Sequence, residues 1–399
     1  MADGPRTDVR PHTRSRWLAV GQSRDPDAHA AGRAAADAAL VQADPRLLVV
    51  FASAAYDLEA LLAGIAERSG GIPLVGCSTA GEIAASGPGD AGVVVTALGG
   101  PGFAAATAVA TGVSGRLRES GAQVAGALRD LDGHPHHAMM LLTDGLAGDQ
   151  QEIVRGAYSV VGASVPLVGG CAGDDLRMET TYQLHGTDVL SDAVVGATIA
   201  SDGPIGIGVR HGWRRVGEPI IVTRSSGNRV QLLDHQPALD VYLEQLDAPP
   251  EARHDVAAFT RFALTHPLGL ARRSGEDQVR FVREADFEER SLGCVAEVPQ
   301  GGLAWFMEGD AASVLAATDR ACEDALAPLN GTPPLGLIAF DCIARRGVLG
   351  EDGIGREVEH VAARAGGAPV AGLYTYGEIA RTHGVNGFHN QTLVVLALS

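Results

Sequence analysis

The chain has 399 residues, 46% of them hydrophobic, and a formal net charge of −17 at pH 7; that length exceeds what one hydrophobic core usually holds, so two domains are expected. The negative charge argues against nucleic acid or a membrane surface as partner, because both need clustered cations. All 31 basic residues are arginine, which excludes Schiff-base chemistry, a pyridoxal lysine and a phosphate loop built around lysine.

Residues 1–16 are polar, carry four arginines and lack an apolar run. This predicts a disordered tail and neither a signal peptide nor a membrane span. Trp17–Gly21 reads as a first strand and Ala28–Leu40 as a helix behind Asp25-Pro26-Asp27. Leu47–Ala52 is a continuous apolar run, hence a buried strand, and Asp57–Arg68 is helical. Val93–Leu98 and Phe103–Thr111 follow as strands, and Leu117–Leu131 as a helix. Met139–Leu142 runs into an acidic turn at Asp144, and Gln150–Val161 is helical. Further strands are expected at Thr180–Leu184, Ala193–Ile199, Ile205–Arg210 and Pro219–Thr223. Pro237 opens a helix over Ala238–Leu246. Phe262–Ala263, Val279–Val282 and Leu303–Met307 are weaker strand patterns. Ala311–Leu326 is helical, and the strand at Leu335–Phe340 precedes a helix over Gly355–Ala365.

Three short stretches organise this succession. Pro73–Ala84 and Pro369–Ala380 both read G-x-x-x-x-G-E-I-A from their first glycine, and Pro166–Asp175 is a shorter relative. Each is an apolar run that becomes a glycine-bounded loop ending in an acid, and glycine permits a tight loop with exposed amides. The flanks repeat too, as strand, helix, strand, loop, strand. The pattern predicts an α/β protein of two lobes with mixed sheets, built from this repeated unit. The clustered glycine-acid loops would border a ligand crevice. Residues 17–235 and 236–399 are the expected domains after the tail. Five widely spaced cysteines without a C-x-x-C pair fit a reduced, cytoplasmic protein.

Several ordered motifs resemble the FIST family. Gly76–Ile83, Leu141–Leu146, Pro166–Asp175 and Val209–Trp213 are similar to its N-terminal domain. Gln236–Tyr242, Phe340–Arg345, Tyr374–Ile379 and Phe388–Thr392 are similar to its C-terminal domain. The resemblance spans residues 17–399. It implies a sensory, small-ligand-binding module of bacterial signal transduction, and it leaves no stretch for an output domain. A histidine kinase or another signalling output protein is therefore the implied partner. Some members bind haem and respond to nitric oxide, so the resemblance also implies haem as a cofactor to consider.

The candidate site residues carry two readings each. Glu82, Asp174 and Glu378 follow the closing part of a loop; they either converge on a ligand or satisfy helix and loop amides. Cys77, Ser78, Thr79 and Cys171 lie in the loops, Asp175 follows Asp174, and Asp144 and Cys342 stand at strand ends. The cysteines are thiolate ligands or small buried apolar groups. Tyr374 and Tyr376 alternate about Thr375 and would share one face if extended. Arg345 has the planar fork that suits a ligand carboxylate. His211 and His389 are haem-ligand candidates or buried structural histidines. The leading reading is a sensor for an amino acid or similar small zwitterion. A haem-based gas sensor and a hydrolase using cysteine or carboxylate are the alternatives, and no triad, G-x-S-x-G or H-E-x-x-H supports the enzyme. The charge generates a first prediction: random duplex DNA mixed with the protein at physiological salt migrates as free DNA in gel retardation.

Overall fold

The computed structural model describes residues 15–127, 131, 133–272, 277–382 and 387–399. Of the expected tail, residues 1–14 lie outside these. Arg16 does not belong to it, because its Nε donates to the Ser399 carbonyl at 3.1 Å. Residues 128–130 of the helix expected over Leu117–Leu131 also lie outside.

The repeated unit is present three times. The first comprises β1 (Trp17–Ser23), α1 (Ala28–Ala39), β2 (Pro45–Ser53), α2 (Leu58–Ser69), β3 (Leu74–Thr79), the hairpin β4 (Glu82–Ala84) and β5 (Gly87–Gly89), and β6 (Val93–Gly99). The second repeats that order as β7 (Phe103–Thr111), α3 (Leu117–Ala127), β8 (His136–Thr143), α4 (Gln150–Val161), β9 (Leu167–Cys171), β10 (Gln183–His185), β11 (Asp188–Leu190) and β12 (Ala193–Ser201).

The third unit opens with β13 (Ile205–Arg210) and is then interrupted. The interruption holds β14 (Arg214–Ser226), β15 (Arg229–Leu233), β16 (Gln236–Pro237), α5 (Ala238–Gln245), α6 (Val256–Ala263), β17 (Leu268–Leu270), β18 (Gln278–Arg280), β19 (Val282–Asp286), β20 (Ser291–Cys294) and β21 (Leu303–Glu308). The unit then resumes with α7 (Ala311–Leu326), β22 (Gly336–Cys342), α8 (Ile343–Ala365), β23 (Val370–Thr375), β24 (Glu378–Arg381), β25 (Phe388–His389) and β26 (Leu393–Leu398). The fold is thus α/β with mixed sheets. A larger lobe holds the three units, and a smaller lobe of antiparallel strands is inserted into the third. The expected division at residues 235 and 236 falls within the small lobe's sheet, where Leu232 pairs with Pro237.

Each unit pairs its two middle strands in parallel: β2 with β3, β8 with β9, and β22 with β23. A helix joins each pair, as parallel strands require. The inner faces of the three sheets share one core, in which Phe51 meets Phe340 edge-on with ring centroids 6.0 Å apart. The outer faces are covered by each unit's helices. Both faces of the middle strands are therefore buried. On β2, Leu47, Val49 and Phe51 face the shared core while Leu48, Val50 and Ala52 face the helices. This is why these strands read as unbroken apolar runs.

The hairpins do not stay at home. The β4–β5 hairpin of the first unit extends the third unit's sheet, pairing with β23. That of the second extends the first unit's sheet through β3, and that of the third extends the second unit's sheet through β9. The exchange is cyclic and binds the units into one body. A glycine in each acceptor strand makes room for close packing. A Cβ on Gly76, Gly169 or Gly372 would lie 2.3, 2.0 or 2.3 Å from a carbonyl oxygen of the neighbouring parallel strand.

Two local expectations change. Phe262–Ala263 is the end of α6, whose N-terminus Asp255 caps by accepting from the Ala258 amide at 2.7 Å. Its buried residues Ala258, Phe259 and Ala263 follow the helical period. Helix α8 begins at Ile343, well before the expected Gly355, with a break in helical geometry at Gly350.

Candidate functional site

The glycine-acid loops converge, as their repetition implied. The Ala80 amide donates to the Tyr374 carbonyl at 3.0 Å, and the Tyr374 amide donates to the Gly81 carbonyl at 2.8 Å. The Cys171 amide donates to the Gly377 carbonyl at 2.8 Å. What the loop acids do there is mainly internal. Glu82 accepts from Thr79 Oγ1 at 2.5 Å and from the Gly92 amide at 2.9 Å. Glu378 does the same with Thr375 Oγ1 at 2.8 Å and the Thr392 amide at 3.2 Å. Burial pushes both carboxyls up to about 8, against the opposing effect of these hydrogen bonds.

Strand register identifies the third member of this set, and it is not Asp174. Glu82 stands opposite Leu373 and Glu378 opposite Gly170, while Gln183 stands opposite Cys77 at the matching position. Gln183 Oε1 accepts from the Ala193 amide at 3.2 Å, repeating the contacts to Gly92 and Thr392. The sequence concealed this because the connection between β9 and β10 is longer than its two counterparts.

Asp174 instead organises that longer connection. Its carboxylate accepts from the amides of Met178, Glu179 and Thr180 at 3.0, 2.7 and 3.0 Å, and from the Tyr376 hydroxyl. Partial burial opposes its charge, but these donors outweigh burial and hold its pKa below the ordinary value. Asp175, Leu176 and Met178 take left-handed backbone at φ 57°, 62° and 56°, a strained state for non-glycine residues. The result is that Leu176 and Met178 stand 61% and 51% exposed. Burial raises the pKa of Asp175, whose side chain accepts from Ser53 Oγ at 3.4 Å.

Leu176 and Met178 overhang a cleft of about 910 Å³. One wall comes from the second unit, at Gly145, Leu146 and the start of α4. A second comes from the third unit, at Cys342–Ala344, Tyr376, Phe388 and Asn390. The small lobe closes the remainder with Asn228, Thr260, Phe281, Arg283 and residues 295–297. Both charge signs are present. Arg155 donates to Glu152 at 2.5 Å and to Glu297 at 3.4 Å, and Asp149 and Arg283 add one charge of each sign. Asp144 shapes the floor: it accepts from the Leu146 amide and from Thr181 Oγ1, both at 2.8 Å, and from the Asp192 amide at 2.9 Å. Gln150 Nε2 donates to the Asp144 carbonyl at 2.7 Å, which fixes the turn into α4.

Of the residues singled out from sequence, Cys342 and Tyr376 line the cleft, Asp144 shapes its floor, and Asp174 supports its rim; Asp175 follows Asp174 and turns to Ser53. The others lie elsewhere. Glu82 borders a second cavity of about 340 Å³ beside Arg24 and the β4–β5 hairpin. Ser78 is buried and bridges loops, donating to the Gly173 carbonyl at 2.7 Å. Tyr374 packs beneath α8 and does not share Tyr376's surroundings, because β23 ends at Thr375 and the chain turns. Burial pushes the thiols of Cys77 and Cys342 up and that of Cys171 up to about 12, so they stand protonated at neutral pH.

Arg345 is the clearest correction. It is fully buried and does not reach the cleft. Its Nε donates to Asp341 at 2.7 Å, Nη1 to the His211 carbonyl at 2.9 Å, and Nη2 to Thr318 Oγ1 at 2.9 Å and to Glu357. Burial and the neighbouring Glu357 carboxylate drive the Asp341 carboxyl upward. Burial opposes the Glu357 charge as well, but Arg345 and the hydrogen bonds from Asp341 and Thr318 keep that carboxyl below its ordinary range. The guanidinium is an internal brace joining β22, α7, α8 and the end of β13.

The two histidines also face inward. His389 Nε2 bonds the Ala380 carbonyl at 3.0 Å, and burial pushes its pKa down to about 3. His211 Nδ1 accepts from the Trp213 amide at 2.9 Å. Neither lines the cleft. Among the described residues no group of three or more His, Cys, Asp or Glu is disposed to hold a metal ion, and no helix is long and apolar enough to cross a membrane.

Sequence reasoning missed Gln183, Leu176, Met178, Asn390 and the small-lobe wall. Asn390 lay inside a recognised motif, Phe388–Thr392. Leu176 and Met178 carry no sequence mark, since their exposure follows from Asp174's amide contacts.

Residues 46–236 match the FIST N domain and residues 238–381 the FIST C domain. An uncharacterized protein of Mycobacterium tuberculosis (strain CDC 1551 / Oshkosh) is 28% identical over 388 residues, spanning 94% of this chain and 97% of the relative. An uncharacterized protein of Methanocaldococcus jannaschii is 26% identical over 155 residues, which is 37% of this chain and 30% of that protein. Among solved structures, a chorismatase crystal structure aligns with 97% of this chain and 99% of its own at 12% identity and a TM-score of 0.37.

Two predictions follow from the buried charges. Arg345→Met leaves two carboxyl groups without their cation and should lower stability by about 3–5 kcal/mol, read as a reduced denaturant midpoint; an unchanged midpoint would show that the brace is dispensable. The second concerns pH. A carboxyl raised from 4.5 to about 8 contributes stability that is complete below the lower value and is lost as pH rises through the upper one. Glu378→Gln keeps the shape, as Gln183 shows, and removes the titration. The variant should therefore gain on the parent by about 1 kcal/mol per pH unit between pH 6 and 8, measured by melting both across that range.

Proposed function

The chain belongs to the FIST family, and on that premise we propose that it is a sensory module that binds a small amphipathic molecule in the cleft between its second and third units and the inserted lobe. The observation that carries the reading is the cleft's rim. Asp174 and Tyr376 hold Leu176 and Met178 in strained backbone with their apolar side chains exposed over a large cavity. Exposed apolar groups and stored strain are costly unless a ligand covers them.

The lining suits a molecule with an apolar body and a charged end. Leu146, Phe281, Val295 and Phe388 supply apolar surface, and the arginines and acids supply both signs. A small zwitterion remains the ligand class that this mixture favours. Its basis is now the cleft's own charges, because Arg345, Glu82 and Glu378 do not reach it. The volume also sets the scale. About 910 Å³ lies near the upper end of small-molecule sites, so a single free amino acid would fill only part of it.

The sensory role follows from where the ligand sits. The small lobe is tied to the larger one through Trp213 Nε1, which donates to the Gln391 carbonyl at 3.0 Å, and Gln278 Nε2, which donates to the Phe388 carbonyl at 2.9 Å. Both ties lie beside the cleft, so a ligand touching both lobes changes how they are held together. A cytoplasmic histidine kinase or another output protein would read that change.

The test uses the molecule the protein carries. Native mass spectrometry of the purified chain should reveal a bound small molecule. Thr260→Trp, an exposed change at the cleft mouth, should reduce its retention by more than about tenfold, or about 1.4 kcal/mol, with the melting temperature unchanged. Equal retention by the variant would place the ligand elsewhere.

A further inference from the structure

Among the described residues that line the cleft, one ion pair joins the two lobes. Arg155, on α4 of the second unit, donates through Nη1 to Glu152 at 2.5 Å and through Nη2 to Glu297 of the small lobe at 3.4 Å. The bond to Glu152 is short and lies within one helix. That to Glu297 stands at the long limit of a hydrogen bond. The Arg155 and Glu297 side chains are 34% and 41% exposed, and an ion pair so open to water contributes little. The other N–H groups of the fork have no partner among the described residues. Arg155 is thus a cation held in place on the cleft wall with donors to spare.

Glu297 is held differently at its two ends. Its carbonyl accepts from Arg280 Nε at 3.0 Å, inside the small lobe. Beside it, Ala296 is 3% exposed and packs into the second unit's core with Ile153 and Val154. Residues 295–297 are therefore where the small lobe rests on α4, and the Glu297 carboxylate is its charged contact there. The other two acids of the cleft have further partners. Asp149 caps α4 by accepting from the Gln151 amide at 3.0 Å, and Glu152 has Arg118 at 3.8 Å as a second cation. Among the described residues Glu297 forms an ion pair with Arg155 alone.

We propose that Arg155 receives a carboxylate of the ligand and gives up Glu297 in exchange, so that filling the cleft unties the small lobe from α4. The inference rests on the cleft being the ligand site; it adds the ligand's acidic class and the step by which binding reaches the lobes. A carboxylate can take two parallel N–H bonds from the fork, a stronger pairing than one long bond to Glu297. It also sets a second negative charge against Glu297, which drives that side chain and its segment away.

Two probes with the same apolar body isolate the acid: 4-phenylbutanoate and 4-phenylbutanamide. Calorimetric titration of the full chain at pH 7 should find the acid about tenfold tighter than the amide. Arg155→Gln should erase that preference. Glu297→Gln removes the competing carboxylate and should tighten the acid about fivefold or more, with the amide unchanged. Hydrogen exchange of the peptide spanning residues 294–299 should rise in the parent on saturation with the acid and not with the amide; in Glu297→Gln it should be raised before any addition. Thr260→Trp should weaken both probes, which places them in the cleft. If Arg155→Gln keeps the preference for the acid, or Glu297→Gln leaves the acid no tighter, the exchange at Arg155 is wrong and the cleft reading stands. If neither probe binds the parent, or Thr260→Trp weakens neither, the cleft reading falls with it.

Discussion

The three-unit body depends on one recurring contact: a buried side-chain oxygen that accepts the amide at the start of the next strand. Glu82 holds Gly92, Gln183 holds Ala193, and Glu378 holds Thr392. Each tether fixes a hairpin's exit from its own unit and hands it to a neighbour's sheet. Without it, the hairpin strands are two to four residues long and have little pairing of their own to hold them in register. The exchange is cyclic, so disturbing one tether disturbs two sheets. The site depends on this directly, since Tyr376 and Asn390 flank the hairpin that the third unit lends to the second.

The same contact explains an unusual use of carboxyl groups. A buried acid normally needs a cation, and Glu82 and Glu378 have none bonded to them. They are tolerated because burial keeps them protonated and because a neighbouring threonine and an amide satisfy the oxygens. Gln183 does the same work without a titrating proton, which shows that shape and hydrogen bonding, not charge, are what the fold requires there. Arg345 answers the opposite problem. It brings a full charge into the core and is balanced by Asp341 and Glu357, which both accept from it.

The inserted lobe turns this symmetric body into one with a distinct cleft. Units one and two pass straight from their first strand to their first helix. The third detours from Arg214 to Glu308, and that detour supplies the wall that encloses the large cavity. Its second helix is also the one that begins with Cys342 in place of an aspartate cap. The departure from symmetry in sequence and the departure in shape thus fall at the same place.

Much of this was legible in the residues. Unbroken apolar runs such as Leu47–Ala52 marked strands buried on both faces, and Gly76, Gly169 and Gly372 marked where backbones approach. The paired G-x-x-x-x-G-E-I-A stretches marked the repeat. These are local consequences of period, size and backbone freedom, which sequence carries directly. Only the tertiary structure decided which unit receives each hairpin. It made Gln183 rather than Asp174 the partner of the two glutamates, turned Arg345 inward, and brought Leu176, Tyr376 and Asn390 around one cavity. Those outcomes depend on pairings between residues up to hundreds of positions apart, and a side chain's role there is set by the partners that packing delivers to it.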